Sequence, residues 1–259
     1  MLLEVVDVHK SFGGVAAVAG ASFGVVDGSV TALIGPNGAG KTTVFNVIPG
    51  FLRADRGTVV FAGERIERQR SDAIARSGLV RAFQSARVLT RMTVIENIML
   101  AGKNQRGEQF GAAWFIPRQV ARREAEVREQ AWRTIDQIGL SHVAHALAGT
   151  LSGGQRKLLE LGRALMVEPR LILLDEPMAG VAPALAAELV ERIEDLRSRR
   201  GVTVLVIEHD MDVVMSISDK VVVMDEGRVI AEGRPVEIQR NERVIEAYLG
   251  RSAGTGARA

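Results

Sequence analysis

Eight consecutive residues constrain this chain more than any other feature. Gly35-Pro36-Asn37-Gly38-Ala39-Gly40-Lys41-Thr42 fits G-x-x-x-x-G-K-S/T, directly after the apolar run Val30–Ile34 and directly before a helix-like segment closed by Pro49-Gly50. A strand feeding a glycine-rich turn and then a helix makes backbone N–H groups converge on an anion. The helix start adds about half a positive charge, and Lys41 adds a full one. Gly35, Asn37, Gly38, Gly40, Lys41, Thr42 and Thr43 are therefore expected to cradle a polyphosphate, with the Thr42 hydroxyl turned to Mg²⁺ and Thr43 near the α-phosphate. A chain built around this turn needs a parallel sheet with helical crossovers, and so an α/β fold.

A phosphate loop of this kind needs a carboxylate at the end of a neighbouring buried strand to hold the metal. Leu171-Ile172-Leu173-Leu174-Asp175 supplies one, and Glu176 follows at once. Successive strand residues point to opposite faces, but the chain turns at the strand end, so both carboxylates can approach the phosphate. Asp175 is read as the metal-side acid and Glu176 as the general base that orients water.

The remaining pattern alternates. Short β-type runs fill 2–60, a helical stretch interrupts from about 84 to 165, and strands and helices then resume through KVVVMD and RVIAEG. Residues 117–140 read as a long Arg/Glu-rich amphipathic helix, with Val120, Val127, Trp132 and Ile135 on its apolar side. The domain is expected to span 1–250 as one unit with that helical insertion, followed by a disordered Gly/Ala/Arg-rich tail at 251–259.

Composition removes other classes. Apolar runs are all interrupted before 18 residues, and the N-terminus carries acids where a signal peptide would be basic, so neither a membrane span nor export is expected. There is no cysteine, which excludes disulfides, thiolate metal sites and cysteine nucleophiles. Thirty-three basic residues against 31 acidic ones leave a net charge of +2, and aromatics are 4%, so nucleic acid is not expected as a partner. His142 and His145 stand i, i+3 with no companion ligand and are not read as a metal site.

Leu151-Ser152-Gly153-Gly154-Gln155 is a second glycine-rich turn leading into a helix, again an anion-facing helix start. One nucleotide does not need two such cradles. Here the chain resembles the ATP-binding-cassette (ABC) ATPases, whose signature is LSGGQ and whose Walker A and Walker B motifs are the segments above. The resemblance runs from Leu2 to Gly250 in the family's order, with Phe12, the phosphate loop, Gln84, the signature, Asp175-Glu176 and His209. It implies a RecA-like core with an antiparallel β subdomain and an inserted helical subdomain. ATP and Mg²⁺ are the implied ligands. Phe12 would stack on adenine, Gln84 would contact Mg²⁺ and water, and His209 would contact the γ-phosphate beside Glu176. Ser152, Gly153, Gly154 and Gln155 would contact the ATP held by a second ATPase subunit. Taken singly, Phe12 reads as an ordinary half-buried aromatic, Gln84 as a surface amide and His209 as a strand-end histidine.

The separation of 134 residues between Lys41 and Asp175, without sustained heptads, disfavours DNA-repair relatives, and a single cassette disfavours multi-cassette translation factors. Finer resemblance is to the larger ATP-binding subunit of high-affinity branched-chain amino acid importers. It is carried by 80–84 (VRAFQ), 92–97 (MTVIEN), 176–181 (EPMAGV), 207–211 (IEHDM) and 244–250 (VIEAYLG). The implied partners are a second ATPase, two membrane permease subunits and an extracytoplasmic binding protein, with the chain peripheral on the cytoplasmic face of the membrane. A lipopolysaccharide-export ATPase, which shares an EPMAGV-like stretch, an iron-sulphur assembly ATPase and a non-enzymatic nucleotide switch stay open. Phe83, Val88, Leu89, Met92, Trp114 and Phe115 form an apolar set that is either a membrane-subunit docking surface or the insertion's own core. Ala182 stands where the family usually has Asp.

Overall fold

The computed structural model describes residues 1–82, 88–103 and 117–252; for 117–120 and 249–252 it describes the backbone alone. Two sheets organise the chain. The first is antiparallel in the order β2-β1-β4-β5, from β1 (Leu3–Phe12), β2 (Val15–Val25), β4 (Arg56–Phe61) and β5 (Glu64–Arg65). The second runs β10-β9-β3-β8-β7-β6, from β3 (Val30–Ile34), β6 (Leu79–Ala82), β7 (Leu171–Asp175), β8 (Thr203–Ile207), β9 (Lys220–Asp225) and β10 (Arg228–Gly233).

In the second sheet, β9, β3, β8 and β7 are parallel neighbours, and β3 and β8 are buried at every position. That burial explains their unbroken Val/Leu/Ile/Ala/Thr composition, since a parallel strand covered on both faces has no solvent side to make polar. The ladders put Leu33 and Asp175 both opposite Ile207, so β3, β8 and β7 end together. Loops that leave the carboxyl ends of adjacent parallel strands form the usual ligand crevice of such a sheet.

Residues group into two compact units: Met1–Arg81, Arg170–Met178 and the chain from Ile193 onward form one, while Ala82–Pro169 with Ala179–Arg192 form the other. The first unit holds both sheets around a core that includes Phe23, Phe45, Phe61, Leu33, Leu173 and Ile207. The second is helical, built on α3 (Val94–Leu100), α4 (Pro117–Gln137) and α5 (Gly153–Leu165), in chain order after α1 (Lys41–Val47) and α2 (Ser71–Arg76). Helix α4 buries Val127, Ala131, Thr134 and Ile135, a stripe at i, i+4, i+7 and i+8 that Ile138 just past its end continues. Trp132 belongs at the edge of that stripe rather than on it. It is 37% exposed and meets His145 edge-on with centroids 5.5 Å apart.

Helix α6 (Pro183–Arg200) follows, then α7 (Met211–Ile217), α8 (Pro235–Gln239) and α9 (Glu242–Ser252). The last helix continues two residues past the expected boundary at 250, and the tail from 253 lies outside the described residues. No helix among the described residues is long and apolar enough to cross a membrane.

Candidate functional site

Strand β3 delivers the chain into the phosphate loop at Gly35, where φ is +146° and a Cβ would lie 2.0 Å from the Met224 carbonyl oxygen of β9. Only glycine fits there. Gly40, at the start of α1, has φ +96°, and a Cβ would lie 2.3 Å from the Ala17 carbonyl oxygen of β2. The loop is thus wedged between the two sheets by close backbone approach at its first and last glycines. Asn37 and Gly38 at its crown are exposed, as is Thr42, and Thr43 is half-buried. Lys41 folds back over the loop and donates to the carbonyls of Gly35 at 2.7 Å and Pro36 at 2.9 Å. Those carbonyls hold the ammonium against the first two residues of the loop.

Asp175 closes β7 beside Ile207 of β8. The next residue, Glu176, has φ +50°, a conformation that costs a non-glycine residue energy and persists where its surroundings fix it. Its N–H donates to the Ile207 carbonyl at 3.0 Å, the last bond before the two strands part. Across that gap, His209 Nε2 lies 2.6 Å from Glu176 Oε1, both side chains nearly half exposed. In that contact each group fixes the orientation of the other.

Phe12 ends β1 and pairs with Val15 at the hairpin tip, 50% exposed. The tip is pinned from β4's approach. Asp55 accepts from the Lys10 ammonium at 2.6 Å and from the Ser11 N–H at 2.7 Å, and Lys10 Nζ sits 5.6 Å from the Phe12 ring centroid. The Lys10 hydrogen bond, with the Ser11 N–H next, holds the Asp55 carboxyl below the usual carboxylate range.

In the helical unit, Ser152 and Gln155 cap α5 reciprocally. The Ser152 hydroxyl accepts the Gln155 N–H at 3.2 Å, and Gln155 Oε1 accepts the Ser152 N–H at 3.0 Å. Gly153 is exposed, and a Cβ there would meet nothing within 4 Å. Gly154 differs: a Cβ would lie 1.5 Å from Leu185 of α6, so it is fixed by packing.

Thus Gly35 to Thr43, Asp175, Glu176 and His209 gather at one end of one sheet, Phe12 closes the neighbouring hairpin, and Ser152 to Gln155 start a helix of the other unit. Gln84 lies outside the described residues, as do Phe83, Trp114 and Phe115 of the apolar set. Of the rest of that set, Val88 is buried, Met92 half-buried and Leu89 40% exposed.

Sequence reasoning missed two residues. Arg81, at the end of β6, donates to Asp175 at 2.5 Å with its side chain only 2% exposed, and to Asn46 at 2.7 Å. Asn46 in turn donates to the Thr42 carbonyl at 2.8 Å, so a polar chain links the two residues read as metal-side. Glu208 is the other, buried where β8 ends. Its place inside IEHDM was the only signal.

Whether Mg²⁺ suits these residues is a question of donor chemistry. Thr42 and Asp175 offer one hydroxyl and one carboxylate, few and all oxygen, which fits an ion that keeps most of its water and takes the rest from phosphates. No group of three or more His, Cys, Asp or Glu among the described residues forms an all-protein metal cage.

Comparison with known proteins gives the same picture. The model of a family described as ABC transporter matches residues 18–179, and one described as branched-chain amino acid ATP-binding cassette transporter matches 228–254. A Pseudomonas aeruginosa protein named high-affinity branched-chain amino acid transport ATP-binding protein is 43% identical over 96% of this chain and 98% of its own. An Archaeoglobus fulgidus protein named probable branched-chain amino acid transport ATP-binding protein is 41% identical over 96% and 95%. A crystal structure of the ADP conformation of an ABC transporter cassette superposes with a TM-score of 0.83 at 40% identity, covering 96% of this chain and 98% of that one.

Proposed function

The chain belongs to the ABC transporter ATPases, and from that premise we propose that it powers an importer of branched-chain or related amino acids. ATP hydrolysis is the activity of the family. The single observation that carries the reading is the meeting of Glu176 and His209 at 2.6 Å beside the phosphate loop, at the shared end of β3, β8 and β7. The names of relatives covering 96% of the chain, and the matching C-terminal segment 228–254, support the substrate class.

In this reading the loop N–H groups of Gly38 and Gly40 and the Lys41 ammonium bind the β- and γ-phosphates. Lys41 exchanges its contacts with the Gly35 and Pro36 carbonyls for phosphate oxygens. Thr42 and Asp175 would hold Mg²⁺, which would supply positive charge against the phosphates. Glu176 orients the attacking water and accepts its proton, a role worth roughly 10²- to 10⁴-fold in rate. His209, with Nε2 2.6 Å from Glu176 Oε1, fixes the carboxylate's direction and would contact the γ-phosphate. Phe12 would stack on adenine, and Gln84, by the family resemblance, would contact Mg²⁺ and water.

Ser152, Gly153, Gly154 and Gln155 serve a partner. The capped start of α5 leaves the Gly153 and Gly154 N–H groups for an anion, and in this reading that anion is the γ-phosphate of an ATP bound to a second ATPase subunit. Two membrane permease subunits and an extracytoplasmic binding protein complete the complex, with this chain peripheral on the cytoplasmic face of the membrane. Leu89 contributes to the docking surface.

Deleting the coding region and following uptake of labelled leucine, isoleucine and valine tests the proposal. Lost uptake, restored by the wild-type chain and not by Glu176→Gln, is the expected result. Unchanged uptake accompanied by a defect in outer-surface lipid would assign the chain to lipid export instead.

A further inference from the structure

We propose that Glu208 is a positioning residue for ATP hydrolysis, its buried carboxylate setting the separation between the loops that carry Glu176 and His209. The inference rests on the roles proposed above for those two residues. The sheet cannot set this separation by itself. The β7–β8 ladder ends at Asp175 opposite Ile207, and the Glu176 N–H donates to the Ile207 carbonyl just past it. Beyond the ladder, Glu208 ties the two loops together. Its Oε1 accepts the Met178 N–H at 2.8 Å, and its Oε2 accepts the His209 N–H at 3.1 Å.

One carboxylate therefore grips the loop after β7 two residues beyond Glu176 and the loop after β8 at His209 itself. Between those grips the Glu176 and His209 side chains meet. The grip is rigid because Glu208 is only 4% exposed, with no ion pair among the described residues, so solvent and cations do not compete for its oxygens. Burying a carboxylate is costly unless hydrogen bonds compensate, and bonds from N–H groups to an ionised acceptor are the strong kind. A neutral residue that merely filled the space would avoid that cost.

The charge matches the task. Two N–H donors approach from two loops, and a carboxylate presents an acceptor to each. A glutamine offers one acceptor, and its NH₂ group would face the second N–H donor. Glu176 also sits at φ +50°, a backbone state that needs an outside hold. Losing one grip would let the base drift, and a misplacement of about 1 Å costs on the order of 10²-fold in rate.

The test uses the full chain with Glu208→Gln, Glu208→Asp, Glu176→Gln and the double variant Glu208→Gln/Glu176→Gln. Turnover, KM for ATP, affinity for a fluorescent ATP analogue and the thermal midpoint are measured on each. Glu208→Gln is expected to lower kcat by about 10- to 100-fold while KM and nucleotide affinity stay within about twofold. In the Glu176→Gln background it should produce no further loss, because the group it positions is already gone. Glu208→Asp keeps the charge one methylene short and should lose turnover in the same direction. It carries the test by itself if the glutamine variant does not fold. Wild-type turnover in Glu208→Asp and Glu208→Gln, or an additive loss in the double variant with weakened nucleotide affinity, would overturn the inference. Wild-type turnover in Glu176→Gln would instead remove the general-base assignment on which it rests.

Discussion

Arg81 and Asp175, 94 residues apart in sequence, form an ion pair of 2.5 Å in which the guanidinium is almost wholly buried. Phe45 lies against the same guanidinium, its ring centroid 6.0 Å away, and Asn46 takes a second N–H. The carboxylate read as metal-side is therefore already neutralised and oriented by the protein. Removing one partner of a buried pair leaves an uncompensated charge and typically costs about 3–5 kcal/mol. Arg81→Ala should lose roughly that much stability in denaturant unfolding, and Arg81→Lys should lose less. A loss below about 1 kcal/mol in the alanine variant would mean that solvent reaches Asp175.

The two signature glycines make opposite predictions. Gly154 has Leu185 where a Cβ would go, whereas Gly153 faces open space. Gly154→Asp should destabilise the isolated subunit by about 1–3 kcal/mol through overpacking. Gly153→Asp should fold normally, bind nucleotide normally and abolish hydrolysis, since its added charge would meet the partner's γ-phosphate. Mixing Gly153→Asp with Lys41→Ala subunits should restore about one functional site per heterodimer, because one of its two composite sites stays intact. No recovery on mixing would argue against a shared site.

Asp55 offers a test of the adenine contact proposed for Phe12. Asp55→Ala frees Lys10 and the Ser11 N–H, and the loosened hairpin tip should weaken ATP binding by roughly two- to fivefold without changing kcat. Because the folded-state pKa is depressed, the contribution is fully present above the ordinary carboxylate value and fades only as pH falls through the lowered one. Nucleotide affinity should therefore show no Asp55-dependent change between about pH 6 and 8. Fluorescence titration of wild type and Asp55→Ala across that range decides it.

Ala182 caps α6 through its carbonyl alone, accepting the N–H groups of Leu185 at 2.9 Å and Ala186 at 3.0 Å. A side-chain acceptor at this position is worth about 0.5–2 kcal/mol over alanine. Ala182→Asp should raise thermal stability by that amount, and a neutral or negative shift would show that the loop there does not adopt cap geometry in solution.

The site was legible where its chemistry is local. A strand, a glycine turn and Lys41-Thr42 announce a phosphate loop because the whole device lies within thirteen residues from Val30 to Thr42. Asp175-Glu176 closes an unmistakable buried strand. The parallel sheet followed from the alternation of apolar runs with helices, whereas the antiparallel subdomain came from the resemblance alone, and the two-residue β5 carries no apolar pattern to mark it. Arg81 was illegible in its role because its partner is 94 residues away, and its place inside VRAFQ was the only signal that set it apart among 28 arginines. Glu208 was hidden by the histidine beside it, since a carboxylate that bonds backbone N–H groups has no sequence companion to mark it. Trp132 was drawn into the apolar side of α4 by its size, but the helical period gives that place to Ala131.

The pairing of Glu176 with His209 beside the phosphate loop carries the account, and one measurement bears on it most directly: single-turnover hydrolysis of Mg·ATP by wild-type chain and by Glu176→Gln, each in saturating excess over the nucleotide. The account predicts that Glu176→Gln binds ATP as the wild type does and hydrolyses it roughly 10²- to 10⁴-fold more slowly. Equal affinity together with equal hydrolysis in the two proteins would contradict it.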